Sequence, residues 1–313
     1  MKTKPTVKKA ALFLAGLLVF LTSNSFAQPN FPLSPQKAEI VYEDVRHFAE
    51  AYYELRTNPD TLAVLQSYYF DRGSAGLKEF INRHQLSPEM LRDAMAANPE
   101  RYALIPGFLA NIGEVEETYA ELMVSYGKVM PNAMFPPTYL LVGANRGIGQ
   151  ASMVGQLITI TRVADSMKKL KKITVHELSH FQQAMSMGGQ KYVQLYSTPD
   201  NMLGLCLREG GAEFITSLVL NDITQSKALA YLEKEEQQLK KRFLKDLKNQ
   251  EQGYWLWESL QQKEHPKLLG YVMGYKICEQ YYKQATDKSQ ALQTILQMPD
   301  AEEFVASSQY FKP

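Results

Sequence analysis

Cysteine is almost missing from this 313-residue chain, which has only Cys206 and Cys278. Neither belongs to a C-x-x-C pair or stands beside a histidine, so a cysteine-based zinc cluster is excluded. Both fall in apolar, helix-like runs, the common setting of buried free thiols, and a disulfide between them is the alternative in an exported chain. Charge of one sign is also lacking. Lys and Arg number 34 against 33 Asp and Glu, with no basic tail and no acidic block. Nucleic acid is therefore not an expected partner, because such proteins carry a clustered basic footprint. There is no phosphate loop either. The glycines of "GANRGIGQ", residues 143 to 150, do not fit G-x-G-x-x-G, and no Gly-Lys-Ser/Thr follows them. They read as a loop or hairpin between strands.

The apolar run at the N-terminus, Ala10 to Leu21, is too short to cross a bilayer comfortably, since a spanning helix needs about 20 apolar residues. It follows Lys2, Lys4, Lys8 and Lys9 and precedes Ser25-Phe26-Ala27, the small-x-small pattern of a signal-peptidase site. Residues 1–27 are thus expected to be a signal peptide, with the mature chain starting at Gln28 and exported to the periplasm or beyond the cell. Its removal takes four lysines and no acid, which moves the net charge from +1 to −3. No stable membrane span is expected after cleavage. At 45% hydrophobic, the composition is that of a packed globule rather than a disordered chain.

The pattern along the chain predicts a mainly α protein with a small β-sheet. From Ser34 to about Ser125 apolar residues recur at three and four, as in Ile40, Val41, Val45, Phe48, Ala49 and Tyr52. "DRGSAGLKEF" and "RHQLSPEML" mark breaks, and Ser87-Pro88-Glu89 is a helix start with an N-cap and proline at N1. "TYLLVG", 138 to 143, and "QLITIT", 156 to 161, are the strand candidates. Helical periodicity then resumes near Ser166, where "MKKLKK" reads as the solvated face of a helix. The expected organisation is a helical region over residues 28–130 and a core over 131–313, or one continuous domain over 28–313.

The chemistry concentrates in "ITVHELSHFQQ", residues 173 to 183. Four residues apart on a helix, His176 and His180 project from one face and their imidazoles reach a single ion. Glu177 is rotated away from them and is free to take a proton from water, its role in H-E-x-x-H. The extended motif with a glycine three residues and a histidine six residues after His180 is excluded, because those places hold Gln183 and Ser186. The third ligand should then be a carboxylate farther along. "LCLREGGAEFITSLVL", 205 to 220, supplies Glu209 and Glu213, again four apart, in an otherwise apolar run. Gly210 and Gly211 each cost about 1 kcal/mol relative to alanine in a helix. They make sense where another backbone approaches closely, as when two ligand helices share one ion.

"HELSH" followed by "EGGAEF" resembles the gluzincin zinc metallopeptidases, and within them a predicted zinc-dependent protease family with H-E-x-x-H followed by E-G-x-A. The resemblance covers about residues 138 to 282. It implies a zincin-like core and one Zn2+ held by His176, His180 and Glu209. Glu213 would orient His176, and Glu177 would act as the base in hydrolysis of a peptide or protein substrate. It also implies that "QLITIT" is the strand edge that receives an extended peptide. Two departures stand out: the second acid is Glu where Asp is commoner, and the spacer from His180 to Glu209 is long. For the oxyanion, Tyr271 and Tyr275 in "GYVMGYKICEQYY" and His265 are the candidates, with core packing the plainer role for the tyrosines. Two alternatives remain: a zinc-stabilised exported binding or scaffold protein without turnover, related to gliding-motility lipoproteins, or an N-terminal helical region that binds a cell-envelope partner.

Overall fold

The computed structural model describes residues 31–198, 201–261, 263–298 and 300–312. The expected signal peptide lies outside them. Among the described residues no helix is long and apolar enough to cross a membrane.

Seven helices precede most of the sheet: α1 (Glu43–Glu54), α2 (Thr61–Leu65), α3 (Ala75–His84), α4 (Pro88–Ala97), α5 (Pro99–Tyr102), α6 (Ile105–Ala110) and α7 (Ile112–Val129). Their starts follow local chemistry. Ser74 and Ser87 turn their hydroxyls to accept from the backbone N–H of Leu77 and Met90, and Pro88 fills the first turn of α4. The chain then builds a sheet of four strands, β1 (Ile40–Val41), β2 (Thr138–Leu141), β3 (Gly149–Ser152) and β4 (Gly155–Thr159), in the order β1-β2-β4-β3. β1, β2 and β4 run parallel, and β3 is antiparallel to β4 at one edge. After the sheet come α8 (Met167–Met187), α9 (Gly189–Ser197), α10 (Met202–Leu220), α11 (Ser226–Lys234), α12 (Glu236–Asn249), α13 (Leu269–Gln284), α14 (Lys288–Gln297) and α15 (Ala301–Ser308). The protein is mainly α with a small β-sheet.

Three sequence expectations need correction. Ile40 and Val41 are not helical: the Glu39 carbonyl accepts from Thr138 N–H, and the pairing with β2 draws the segment into the sheet before α1 begins. "GANRGIGQ" is not wholly loop, since Gly149 starts β3. That strand, Gly-Gln-Ala-Ser, has no β-branched residue and no apolar alternation. Its ladder to β4 specifies it, rather than its own propensity. Finally, "QLITIT" is not an edge. β4 is buried along its whole length, with β2 on one side and β3 on the other.

Two hydrophobic cores overlap along the chain. One runs from Val45 to Leu170 and packs the N-terminal helices on β2 and β4. The Tyr69 hydroxyl there accepts from Val142 N–H and donates to Val142 C=O, and Tyr102 donates to Gly143 C=O, satisfying the backbone just past β2. The other core runs from Tyr119 to Tyr310 and gathers α7, α8 and the C-terminal helices. Cys206 and Cys278 lie in it as buried free thiols. α8 lies between these bodies, so its central turns, Thr174 to Gln183, are all buried. Lys168 and Lys169 in its first turn stay exposed, Lys172 is half-buried, and Lys168 and Lys172 pair with Asp222.

Candidate metal centre

The motif residues are held in place from outside the motif. Ser179 Oγ lies 3.3 Å from the Tyr126 hydroxyl, tying α8 to α7. The Gln182 amide accepts from Met134 N–H at 3.0 Å and donates to Met134 C=O at 2.7 Å, fastening the helix to the segment that leads into β2. On α10, Gly210 is what allows close packing. A Cβ there would lie 2.1 Å from the Gly274 carbonyl carbon, and one on Gly274 would lie 1.9 Å from the Cys206 oxygen. The close backbone approach expected at this pair of glycines is therefore real, but the neighbour is α13 and not α8. Gly211 instead leaves room for the Gln183 side chain and Ile295.

This packing brings three donor atoms together. His176 Nε2 and His180 Nε2 are 3.0 Å apart, and Glu209 Oε2 lies 3.1 Å from the second and 3.4 Å from the first. Four ligands placed tetrahedrally about 2.0–2.1 Å from zinc would be separated by about 3.3 Å. The observed triangle therefore matches one face of such a tetrahedron. Two imidazole nitrogens and a carboxylate oxygen also form a donor set that zinc accepts with one position left open. Among the described residues this is the one group of three with metal-ligand geometry, and all three are buried.

The electrostatics favour positive charge here. Burial presses His176 towards its neutral form, but the Glu209 hydrogen bond and the charges of Glu213 and Glu177 outweigh it and raise the pKa to about 9. Burial would raise Glu209, and His180 and His176 outweigh it and hold the carboxyl below the usual range. Glu177 is raised by burial, with the two histidines opposing.

A family model described as a predicted Zn-dependent protease (DUF2268) matches residues 139–305, more than half of the chain. The chain belongs to that family. No curated protein and no solved structure gives a significant match.

Within this DUF2268 chain the outward nitrogens of the two histidines are supported differently. His180 Nδ1 lies 2.8 Å from Gln183 Oε1, and the Gln183 amide nitrogen donates to Arg208 C=O at 2.8 Å. The second bond fixes which way the amide points. Its oxygen must face His180, so Nδ1 carries the proton and Nε2 keeps its lone pair for an ion. Gln183 was not legible as a partner, because a carboxamide three residues after a histidine carries no motif. His176 Nδ1 has Glu213 Oε1 at 3.5 Å, close for charge but too long for a hydrogen bond. Glu213 is chiefly the acceptor for Thr224, whose N–H reaches Oε2 at 2.7 Å and whose hydroxyl donates to Oε1.

The remaining candidates separate. Tyr271 lies parallel to the His176 ring, at 7° and 6.2 Å between centroids, and its hydroxyl accepts from Trp257 Nε1–H at 3.2 Å. Tyr275 turns away: its ring packs on Phe214 and its hydroxyl lies 3.4 Å from Glu279. His265 packs on Tyr254 with the rings tilted by 41° and bonds Pro266 C=O, in a pocket lined by Arg242, Asp246 and Tyr254 that includes no residue of the triad. Sequence reasoning missed Tyr196, which donates to the other Glu209 oxygen, Oε1, at 3.1 Å. It also missed Arg208, 2% exposed, whose guanidinium lies 3.9 Å under the Tyr192 ring. The Arg208–Glu209 adjacency signals neither contact.

Glu177 lies against the edge strand. A Cβ on Gly149 would come within 2.5 Å of its Cγ and 2.7 Å of its Oε1. Glycine is thus what lets β3 run directly beside this carboxyl group.

Proposed function

We propose that this chain is an exported zinc metallopeptidase that hydrolyses peptide bonds by general-base attack of water. The observation that carries the reading is the triangle of His176, His180 and Glu209 with the Glu177 carboxyl beside an open strand edge. His176, His180 and Glu209 would hold zinc, which when bound supplies Lewis acidity to water and to the substrate carbonyl. Glu177 takes the proton of the attacking water on its carboxylate, and its pKa, raised by burial, suits it to hold that proton and pass it to the leaving amine.

The edge strand supports peptide as the substrate. Thr159 N–H bonds Ile148 C=O and Gln150 is in register with Leu157, so the alternation of an antiparallel ladder turns the backbone groups of Gly149 and Ala151 outward. Arg83 caps the Ala151 oxygen at 3.1 Å. The N–H and C=O of Gly149 are left facing an incoming strand beside Glu177, the geometry of strand addition. Export rests on the N-terminal lysines, apolar run and Ser25-Phe26-Ala27.

The test is zinc content by mass spectrometry on the mature protein, together with cleavage of unfolded proteins and peptides. One zinc per chain is expected, lost in Glu209→Ala. Glu177→Gln should keep the metal and lose turnover by about 10²–10⁴-fold. A parent that holds no zinc after incubation with the ion, or a Glu177→Gln variant as fast as the parent, would overturn the proposal.

A further inference from the structure

The wall beside the metal triad is aromatic, and one part of it is exposed. Tyr196 reaches Glu209 through its hydroxyl, and Tyr271 lies flat along His176. Trp257 touches both: its indole N–H donates to the Tyr271 hydroxyl at 3.2 Å, and its ring centre is 6.2 Å from that of Tyr196. Trp257 is thereby one side chain removed from two ligands of the triangle. It is nevertheless 38% exposed, whereas its neighbour Trp255 is 0% exposed and bonds Asp246.

Trp257 does not stand alone. It opens the 3₁₀ segment Trp257–Gln261, in which residues three apart eclipse each other. The residue three after it is Leu260, 44% exposed. The large exposed apolar residues elsewhere among the described ones, Leu33, Tyr53, Leu104, Met153 and Leu244, each stand more than a helical turn from the next along the chain. Here two share one face, and the face continues into the wall of the triad through Tyr271 and Tyr196. A contiguous apolar surface beside polar chemistry is the usual form of a side-chain subsite.

We infer that Trp257 and Leu260 form the subsite for a large aromatic or aliphatic side chain flanking the scissile bond. The substrates are then peptides carrying such a residue at the cleavage point. This rests on the metallopeptidase reading above. The occupant is apolar because an indole face and a leucine offer dispersion and stacking. The indole N–H, the one strong donor of the pair, is already used by Tyr271.

The chain's two tryptophans make a direct test possible, since Trp255 is sealed and Trp257 is open to a quencher. The zinc-loaded, full-length chain is given matched peptides that differ only in the residue flanking the bond: Phe, Leu, Ala or Asp. Cleavage is expected at Phe and Leu. Trp257→Ala should lower kcat/KM for the Phe peptide by about 10–100-fold and hardly change it for the Ala peptide, with zinc content constant. Leu260→Ala should act in the same direction, and Trp257→Phe should restore most of the preference. In Glu177→Gln, which holds peptide uncut, the Phe peptide should protect Trp257 from acrylamide quenching and the Asp peptide should not. Equal cleavage of all four peptides, or a Trp257→Ala variant that slows them equally, would overturn the subsite and leave the peptidase standing. No cleavage of any peptide by the zinc-loaded parent would remove both.

Discussion

On one side α10 meets α13 with almost nothing between the backbones, Gly210 against Gly274 and Gly274 against the Cys206 carbonyl. On the other it meets α9, a nine-residue helix with no buried residue, which leans on Arg208 and Glu209 through the rings of Tyr192 and Tyr196. The first contact leaves no freedom to slide or rotate, because two backbones at van der Waals distance have no rotamers to adjust. The second consists of a cation under two rings and one hydroxyl, which can be remade after small movements. Glu209 is therefore carried on a rigid base, while the wall that α9 lends to the triad is adjustable.

The largest expected effect is at the rigid contact. Gly274→Ala gains about 1 kcal/mol of helix propensity. It also forces a carbon to 1.9 Å from a backbone oxygen, and overpacking of this kind should cost a net loss of about 3 kcal/mol. A thermal melt within a degree or two of the parent would show that the close contact does not fix α10. Glu213→Ala comes next. It leaves the N–H and hydroxyl of Thr224 without their acceptor, a loss of about 1–3 kcal/mol that denaturant titration would read. Gln183→Leu removes the acceptor at His180 Nδ1 and should weaken zinc about 10–100-fold, measured by competition with a chelator, with less effect on the melt. An unchanged zinc affinity would make Gln183 a packing residue only. The smallest effect belongs to the adjustable side. Tyr192→Ala should cost about 1 kcal/mol or less and speed protease nicking within residues 189–197 while zinc stays bound. If it expels the metal instead, α9 is as much a part of the base as α13.

How much of this was legible in sequence follows the same division. His176, Glu177, His180, Glu209 and Glu213 were visible because their spacing on two helices is itself the signal, and the structure places them together. Gly210 announced a close approach without naming its partner, since a missing side chain reports contact and not identity. β3 was hidden because a Gly-Gln-Ala-Ser strand borrows its conformation from β4. Tyr196 and Trp257 were hidden because their partners lie on other elements, and Gln183 because a glutamine three residues after a histidine on one helix carries no spacing rule that would reveal the bond. His265 and Tyr275 show the converse, residues with suitable chemistry that the packing turns elsewhere.

The amide of Gln183 has one more consequence. It can neither gain nor lose a proton in the range where proteins are folded, so the support it gives His180 stays the same whatever the acidity of the medium. Glu213, the group facing His176, is a carboxyl whose burial makes it take up a proton sooner than usual as the medium becomes more acidic. Acidification therefore changes the charge that faces His176 and leaves the group that faces His180 as it was.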